Sequence, residues 1–153
     1  MPKAERHKRS NELLAIMKLE AAADKYPHEL SGGMRQRVAV ARGLAIRPAV
    51  LLMDEPFAAV DAITRMTLQG ELLRLWRELG LSILFITHNV DEAVYLSNQV
   101  VVMSAHPGTV KEIVSIDFPH PRERGSAIFA KWYARISSSM DESERAAQEL
   151  GAA

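Results

Sequence analysis

Three short groups of residues in this sequence are of types that carry out chemistry on phosphates. They are an acidic pair, Asp54 and Glu55, a Ser-Gly-Gly turn at residues 31–33, and His88. Adjacent carboxylates can divide the work, because one can hold Mg²⁺, usually through water, while the next orients or deprotonates a water molecule. The alternative is that Asp54 or Glu55 only caps the turn that follows at Pro56. The pair taken alone leaves both interpretations open.

The Ser-Gly-Gly turn is a candidate site for an anion. Ser31, Gly32 and Gly33 precede a helical pattern, and the first turn of a helix offers N–H groups and a positive dipole end. Glycines also let the backbone approach an anion closely. Each exposed dipole contact contributes only about 0.3–1 kcal/mol, so several must act together. The alternatives are a serine N-cap after a flexible turn and, for His88, a hydrogen-bonded structural role.

The composition excludes several classes of protein. The 153 residues are 48% hydrophobic and 25% charged, with a formal net charge of zero and no cysteine. Zero net charge provides no electrostatic attraction to nucleic acid as the main partner. Without cysteine there is neither a disulfide framework nor a thiolate metal site. No apolar run reaches the roughly 18 residues of a membrane span. We therefore expect any action at a membrane to require a partner protein.

Apolar residues recur at helical spacing in four segments, which we predict to be helices. Gly80 stands where the C-cap of the third helix belongs, and the nine residues "SSSMDESER" after the fourth look loose. The third helix has a stripe of apolar residues: Leu68, Leu72, Leu75, Trp76 and Leu79. The four segments are Asn11–Lys25, the stretch from Met34 to a stop at Pro48, Thr64–Leu79 and Ser126–Ile136.

Short apolar runs predict the strands. A continuous apolar run is typical of a parallel strand that is covered on both faces. Strands that alternate with helices predict an α/β fold with a parallel sheet and right-handed crossovers. A turn at His106–Gly108 leads into Val110–Ile116, which alternates as a hairpin partner would. The three apolar runs are Val50–Met53, Ser82–Thr87 and Gln99–Met103.

Functional groups in open α/β sheets collect beyond the carboxyl ends of the strands, where the acidic pair and His88 fall. Taken in order, the motifs closely resemble those of the ATP-binding cassette (ABC) ATPases, over roughly residues 10–120. The flanking sequence is most similar to the subgroup that serves importers of nitrate, sulfonate, taurine and other aliphatic substrates. The matching pieces are "LSGGMRQR" (Leu30–Arg37) for the signature loop, "VLLMDEP" (Val50–Pro56) for Walker B, "AAVD" (Ala58–Asp61) for the D-loop and "ITH" (Ile86–His88) for the switch histidine.

This resemblance implies a fold class and a role for each catalytic residue. The fold would be α/β, a partial P-loop NTPase-like parallel sheet with flanking helices and part of the helical subdomain. Asp54 would help to position Mg²⁺, and Glu55 would act as the general base on the attacking water. His88 would contact the γ-phosphate of ATP.

The resemblance also implies a site that is shared between subunits. Met34 departs from the glutamine that is commonest at its position, and Val60 departs from the usual leucine of the D-loop. Asp61 would communicate between the two nucleotide sites of a head-to-tail dimer. The residues that would reach the ATP held by the opposite subunit are Leu30, Ser31, Gly32, Gly33 and Met34.

The partners implied by the resemblance are those of an importer for a small anion or an organosulfur-type solute. They are a second ATPase subunit, a transmembrane permease and, indirectly, a solute-binding protein. ATP and Mg²⁺ are the implied cofactors, and nucleic acid is not an expected partner. We expect a peripheral location on the cytoplasmic face of the cell membrane.

One motif of the family is missing from this sequence. No GxxxxGK followed by Ser or Thr occurs in it, nor the strand that would precede such a loop. In P-loop enzymes that loop cradles the phosphates. We therefore expect a truncated chain in which residues 1–30 end a helical subdomain, residues 31–120 form part of the ATPase core, and residues 121–153 form a C-terminal helix and tail.

Three alternatives remain open at this point. A non-hydrolysing module could donate its signature loop in trans to a complete partner ATPase. A cassette protein of DNA repair or translation is disfavoured by the neutral charge and by the importer-like segment after His88. The third alternative is an unrelated α/β protein with coincidental motifs.

Overall fold

The structure, a computed structural model, describes residues 2–58, 60–104 and 108–151, with side chains through residue 140. It divides into two compact units, one up to Ile86 and the other from Thr87 onward. Ala59 of the D-loop and most of the turn predicted at residues 106–108 lie outside the described residues. No helix among the described residues is long and apolar enough to cross a membrane.

The first unit is built from three helices and two strands. Two short 3₁₀ turns, Glu20–Ala22 and Pro27–Glu29, connect the first two helices. Its core contains these buried apolar side chains among the described residues: Leu13, Met17, Leu19, Leu30, Leu44, Leu51, Met53, Phe57, Leu68, Leu72, Leu73 and Leu75. In chain order the elements are helix α1 (Lys3–Ile16), helix α2 (Gly32–Ala45), strand β1 (Val50–Asp54), helix α3 (Ala62–Leu79) and strand β2 (Ser82–Ile86).

Helix α1 differs from the predicted helix Asn11–Lys25 at both ends. It begins at Lys3, directly after Pro2, and ends at Ile16. The prediction started too late because the first turns of α1 are polar and exposed, so they carry no apolar periodicity. The helix ends early because Lys18 has a φ of 55°, in the left-handed region, which turns the chain out of the helix.

Arginine side chains bond the carbonyl groups at the ends of these helices. Arg74 of α3 donates to the carbonyl of Ile16 at 2.8 Å, and Arg37 of α2 donates to that of Met17 at 3.2 Å. The last carbonyl groups of an α-helix receive no hydrogen bond from within the helix, so they need donors from elsewhere. These bonds supply such donors and tie the end of α1 to both other helices.

Helix α3 confirms most of its predicted pattern. Leu68, Leu72 and Leu75 are buried, whereas Leu79, predicted on the same stripe, is 42% exposed. Leu79 is the last residue of the helix, so its side chain lies beyond the core that covers the preceding turns. Gly80 is the C-cap, with a φ of 61° that a side chain would strain.

Strands β1 and β2 form a two-stranded parallel pair, as the α/β pattern predicts. The register runs from Val50 opposite Ser82 to Asp54 opposite Ile86. A parallel pair requires a long crossover, and α3 provides it. Both strands consequently end at the same edge of the sheet.

The prediction that these strands are covered on both faces is wrong for the structure described here. Leu51 and Met53 point into the core, but Leu52 is 71% exposed. On β2, Leu84 is 53% exposed and Ile86 54% exposed. The strands therefore alternate in burial, and a patch of large apolar side chains covers the outer face of the pair.

The second unit contains helix α4 (Val90–Leu96), strand β3 (Gln99–Met103), strand β4 (Val110–Ser115) and helix α5 (Ala127–Gly151). Strands β3 and β4 pair in antiparallel fashion, which confirms the predicted hairpin. The expectation that β3 continues the parallel sheet is wrong within the described residues, where β3 pairs with β4. A short connection permits only the antiparallel arrangement.

Helix α5 covers the hairpin and completes the core of the second unit. Phe129 and Ile136 are buried together with Val94 and Ile116, while Trp132 packs against this cluster. The expectation that this helix packs on its own domain is confirmed. The prediction of a loose "SSSMDESER" segment is wrong, because the helical backbone continues through Gly151. Neither glycine nor proline interrupts the segment before that residue.

The exposed apolar patch predicts self-association of the isolated chain. Replacing Leu52 and Leu84 with threonine should lower the association measured by sedimentation velocity. It should change the free energy of unfolding by only about 0.5 kcal/mol, because neither side chain is buried.

Leu51→Ala is the matched control for this prediction. Leu51 is buried in the same strand, so the variant should lose about 2–5 kcal/mol of stability without any decrease in association. A wild-type chain that stays monodisperse at high concentration would contradict the prediction.

Candidate functional site

Most of the predicted site residues line one groove of the first unit, with a volume of about 970 Å³. The start of α2, the end of β1 and the start of α3 form its walls. Leu30, Met34 and His88 are the exceptions. Leu30 is buried, and Met34 lies in the first turn of α2 without lining the groove. His88 belongs to the second unit and lies in the loop before α4. The predicted residues in the groove are Ser31, Gly32, Gly33, Asp54, Glu55 and Asp61.

Ser31 is the N-cap of α2. Its hydroxyl oxygen accepts a hydrogen bond from the N–H of Met34 at 3.3 Å. The interpretation of Ser31 as an N-cap is therefore correct. The N–H of Met34 is used by this cap and is not available to an anion. The N–H groups of Gly32 and Gly33 in the same turn have no acceptor within an α-helix, so an anion role is compatible with the cap.

The two glycines of this turn have different surroundings. A Cβ atom on Gly33 would lie 3.1 Å from Cγ2 of Thr64, so α2 approaches α3 closely there. A Cβ atom on Gly32 would meet nothing within 4 Å. Packing against α3 therefore favours glycine at position 33. At position 32 the packing would also accept a side chain. Arg35 stabilises the turn, because its guanidinium donates a hydrogen bond to the carbonyl of buried Leu30, the residue before the turn, at 2.5 Å.

The acidic pair sits at the end of the parallel pair of strands. Asp54 is the last residue of β1, and its side chain is exposed. The N–H of Glu55 donates to the carbonyl of Ile86 at 2.9 Å, which extends the pairing by one residue. Glu55 has a φ of 41°, a conformation that costs energy for a residue other than glycine. Phe57 is buried and holds the following turn in place.

Asp61 is the N-cap of α3. Its carboxylate accepts the N–H of Thr64 at 3.0 Å. The hydrogen bond from that N–H, with a second from the Thr64 hydroxyl, holds the pKa of Asp61 below its usual value. Since Thr64 also contacts the Ser-Gly-Gly turn, one residue links the D-loop aspartate to the start of α2.

Comparison with known proteins identifies the family. The profile described as ABC transporter matches residues 3–58. An uncharacterized ABC transporter ATP-binding protein of Methanocaldococcus jannaschii is 52% identical over 136 residues, which is 89% of this chain and 51% of that protein. The chain belongs to the ABC transporter family. This confirms the resemblance inferred from the motifs.

Two further relatives of this ABC transporter chain have names that state a substrate. The nitrate import ATP-binding protein NrtC of Synechococcus elongatus is 52% identical over 80% of this chain and 19% of its own length. The aliphatic sulfonates import ATP-binding protein SsuB of Bacillus licheniformis is 46% identical over 80% of this chain and 48% of its own length. The chain thus spans about half the length, or less, of these relatives.

Solved structures of ABC transporter proteins share the fold. A dimeric bacterial ABC transporter cassette aligns with a TM-score of 0.61 and 32% identity, covering 78% of this chain and 50% of the cassette. CbiO1 of Clostridium perfringens, part of the transporter complex cbiONQ, aligns with a TM-score of 0.62 and 35% identity, covering 67% of this chain and 41% of its own. The predicted fold class is confirmed.

Sequence reasoning missed several residues that shape the groove. Arg35 and Arg37 line it and hold α2 through backbone carbonyls. Thr64 was named only as the start of a helix, yet its N–H donates the capping hydrogen bond to the carboxylate of Asp61. The available signals were two arginines in the first turns of a helix and an Asp-x-x-Thr pattern at a helix start.

The pKa of Asp61 makes the stability of the first unit depend on pH. A lowered pKa means that the charged form stabilises the fold above the usual value of 3.8 and that this stabilisation is lost as the pH falls through the folded pKa. Asp61→Asn keeps an acceptor oxygen without the charge. Its deficit in thermal midpoint relative to wild type should therefore shrink as the pH is lowered below that value.

Asp61→Ala removes both the charge and the acceptor oxygen. It should be less stable than Asp61→Asn at every pH, because the N–H of Thr64 then loses its cap. Equal midpoints for the two variants would contradict the capping role.

Proposed function

We propose that this chain is the signature and Walker B part of the ATP-hydrolysing subunit of an ABC importer for a small anion or an organosulfur-type solute. The observation that carries the proposal is the shared groove, which the start of α2, the acidic pair and Asp61 line together. The substrate class is supported by the names of the nitrate and sulfonate relatives.

The groove has groups for both nucleotides of a head-to-tail dimer. The acidic pair serves the MgATP of this subunit, and the first turn of α2 serves the nucleotide held by the second subunit. The first turn of α2 directs backbone N–H groups toward an anion, and the open space at Gly32 lets a phosphate come near. Asp54 offers an exposed carboxylate. No cluster of three or more metal-ligating side chains occurs in the described part of the chain. Mg²⁺ suits such a place, because it takes one or two carboxylates and fills its shell with water and phosphate oxygens.

Each residue then has a distinct task. Bound MgATP supplies the phosphoryl group and the metal charge that stabilises it. Glu55 accepts a proton from the water that attacks, and its position at the rigid end of β1 fixes where that water is held. Asp54 holds the water shell of the metal. Gly32 and Gly33 donate N–H groups to phosphate oxygens of a nucleotide held by the second subunit.

The remaining parts of the proposal concern partners and location. His88 contacts the γ-phosphate of the nucleotide of its own subunit. A head-to-tail pair with a second ATPase subunit brings the Ser-Gly-Gly turn of this chain to the nucleotide held by that subunit. A permease couples that pair to the membrane at its cytoplasmic face, and a solute-binding protein delivers the solute. The import function named for the relatives and the dimeric form of a solved cassette support these assignments.

A second candidate is a module that donates its signature loop in trans and hydrolyses nothing. It is favoured by the complete Ser-Gly-Gly turn, which can act on a nucleotide held by another chain. In this case Gly32 would be required for the activity of the complex and Glu55 would not.

The test is the ATPase activity of the complex purified with the tagged chain from the cells that encode it. Glu55→Gln should lower kcat by about 10²–10⁴-fold, because it removes a general base and keeps the volume of the side chain. The chain purified alone should turn over ATP far more slowly than the complex. Turnover by the isolated chain that Glu55→Gln abolishes would show that this chain has a nucleotide cradle of its own.

Gly32→Ala tests the requirement that both candidates share, whereas Glu55→Gln separates them. The added methyl group meets no protein atom within 4 Å, so the variant should fold normally and should lose activity only if an anion approaches this turn. Gly70→Ala is the matched control, since it also meets nothing within 4 Å but lies in the middle of α3.

The outcomes are distinct. Loss of activity in both Glu55→Gln and Gly32→Ala supports the hydrolysing subunit. Loss in Gly32→Ala alone supports the donor module. Full activity in both variants would overturn both candidates.

A further inference from the structure

We infer that Glu92 is a positioning residue for His88 and that it acts through the two neighbours of the histidine, Thr87 and Asn89. The inference rests on the proposed function, in which His88 contacts the nucleotide. It adds a residue that holds the histidine in place. All four residues belong to the second unit.

The first link runs from the carboxylate to the residue before His88. The hydroxyl of Thr87 donates to Oε2 of Glu92 at 2.8 Å. With its proton directed to the carboxylate, the same hydroxyl oxygen accepts the N–H of Asn89 at 3.0 Å. Glu92 therefore orients a hydroxyl group that bridges across His88.

The second link holds the residue after His88. Oδ1 of Asn89 accepts the N–H of Asp91 at 2.9 Å and that of Glu92 at 3.4 Å. Asn89 is thus the N-cap of α4. Both neighbours of His88 are bonded to the first turn of this helix, so the backbone of the histidine has little freedom.

The burial of these groups gives the network its strength. Glu92 is only 4% exposed, and a buried carboxylate is costly unless hydrogen bonds compensate it. The side chain of His88, in contrast, is exposed. The arrangement therefore fixes the backbone of the loop and leaves the imidazole ring outside, where a ligand can reach it.

Helix α4 is itself held firmly, which makes it a suitable base for positioning. The guanidinium of buried Arg122 donates to the carbonyls of Val94 and Ser97, the latter at 2.7 Å. Arg124 forms an ion pair with Asp91 at 2.8 Å. A displacement of the helix that carries Glu92 would require these bonds to break.

The competing explanation is that Glu92 serves only the stability of the second unit. Four variants distinguish the two roles. Thr87→Val removes the bridging hydroxyl at nearly constant volume, and Thr87→Ser restores it. Glu92→Ala removes the acceptor, and Glu92→Gln keeps an acceptor oxygen. Glu123→Ala, at an exposed glutamate of the same unit, is the control for loss of a carboxylate.

The first measurement is NMR on the whole chain, with labelled histidine and labelled valine and isoleucine methyl groups. We expect Thr87→Val and Glu92→Ala to shift and broaden the ring signal of His88, assigned with His88→Asn. The methyl signals of Val94 and Ile136 in the core should stay in place. Thr87→Ser, Glu92→Gln and Glu123→Ala should resemble wild type.

The second measurement is ATP hydrolysis by the complex described above. Thr87→Val should lower kcat by about 10- to 100-fold with little change in KM, because a small displacement of a positioned group acts mainly on the reacting state. Thr87→Ser should recover most of the activity. The double variant Thr87→Val with Glu92→Ala should lose no more than the worse single variant, since both break one network.

Three results would overturn the inference. One is a His88 signal that is unchanged in both Thr87→Val and Glu92→Ala. Another is a shift of the core methyl signals together with His88, which indicates a structural role only. The third is equal kcat for Thr87→Val and wild type in an active complex. The NMR measurement needs no nucleotide, so it stands even when the complex proves inactive and the proposed function fails.

Discussion

The parallel pairing of β1 with β2 is the constraint on which the groove depends. It runs to Asp54 opposite Ile86, and the bond from the Glu55 N–H to the Ile86 carbonyl continues it by one residue. Glu55, which makes that last bond, has a left-handed conformation, and its carboxylate follows the end of the sheet. A parallel pair also needs a crossover, so α3 must start near this same edge. Asp61 is brought to the groove for that reason.

The opposite wall of the groove is placed by glycines at the two ends of α2. Gly33 lets the first turn approach Thr64 of α3, at 3.1 Å from an added Cβ atom. Gly43 lets the last turns approach Leu51 of β1, at 2.8 Å from an added Cβ atom. Small residues at both ends bring the whole helix close to the strand and to α3. The width of the groove is consequently set by residues that carry no side chain.

Whether a feature could be predicted from the sequence depended on how far apart in the chain the interacting residues are. The core face of α3 and the cap at Gly80 depend on residues a few positions apart, so periodicity found them. Asp54 and Glu55 could be placed because strand ends are a local signal. The start of α1 lies in polar, exposed turns, and the exposure of Leu52 depends on what packs against β1. Periodicity carries no such information, and the order of family motifs located the site but not the network behind His88.

The arginine hydrogen bonds at the end of α1 determine how the packing of this helix responds to pH. Arg37 and Arg74 donate to the carbonyls of Met17 and Ile16, which are amide oxygens without a proton to gain or lose. A guanidinium keeps its charge at any pH at which a protein stays folded. Neither bond therefore contains a group that titrates while the protein is folded. Acid sensitivity of the first unit must arise from its carboxylates and histidines, which include Glu71 and Glu78, the ion-pair partners of these two arginines.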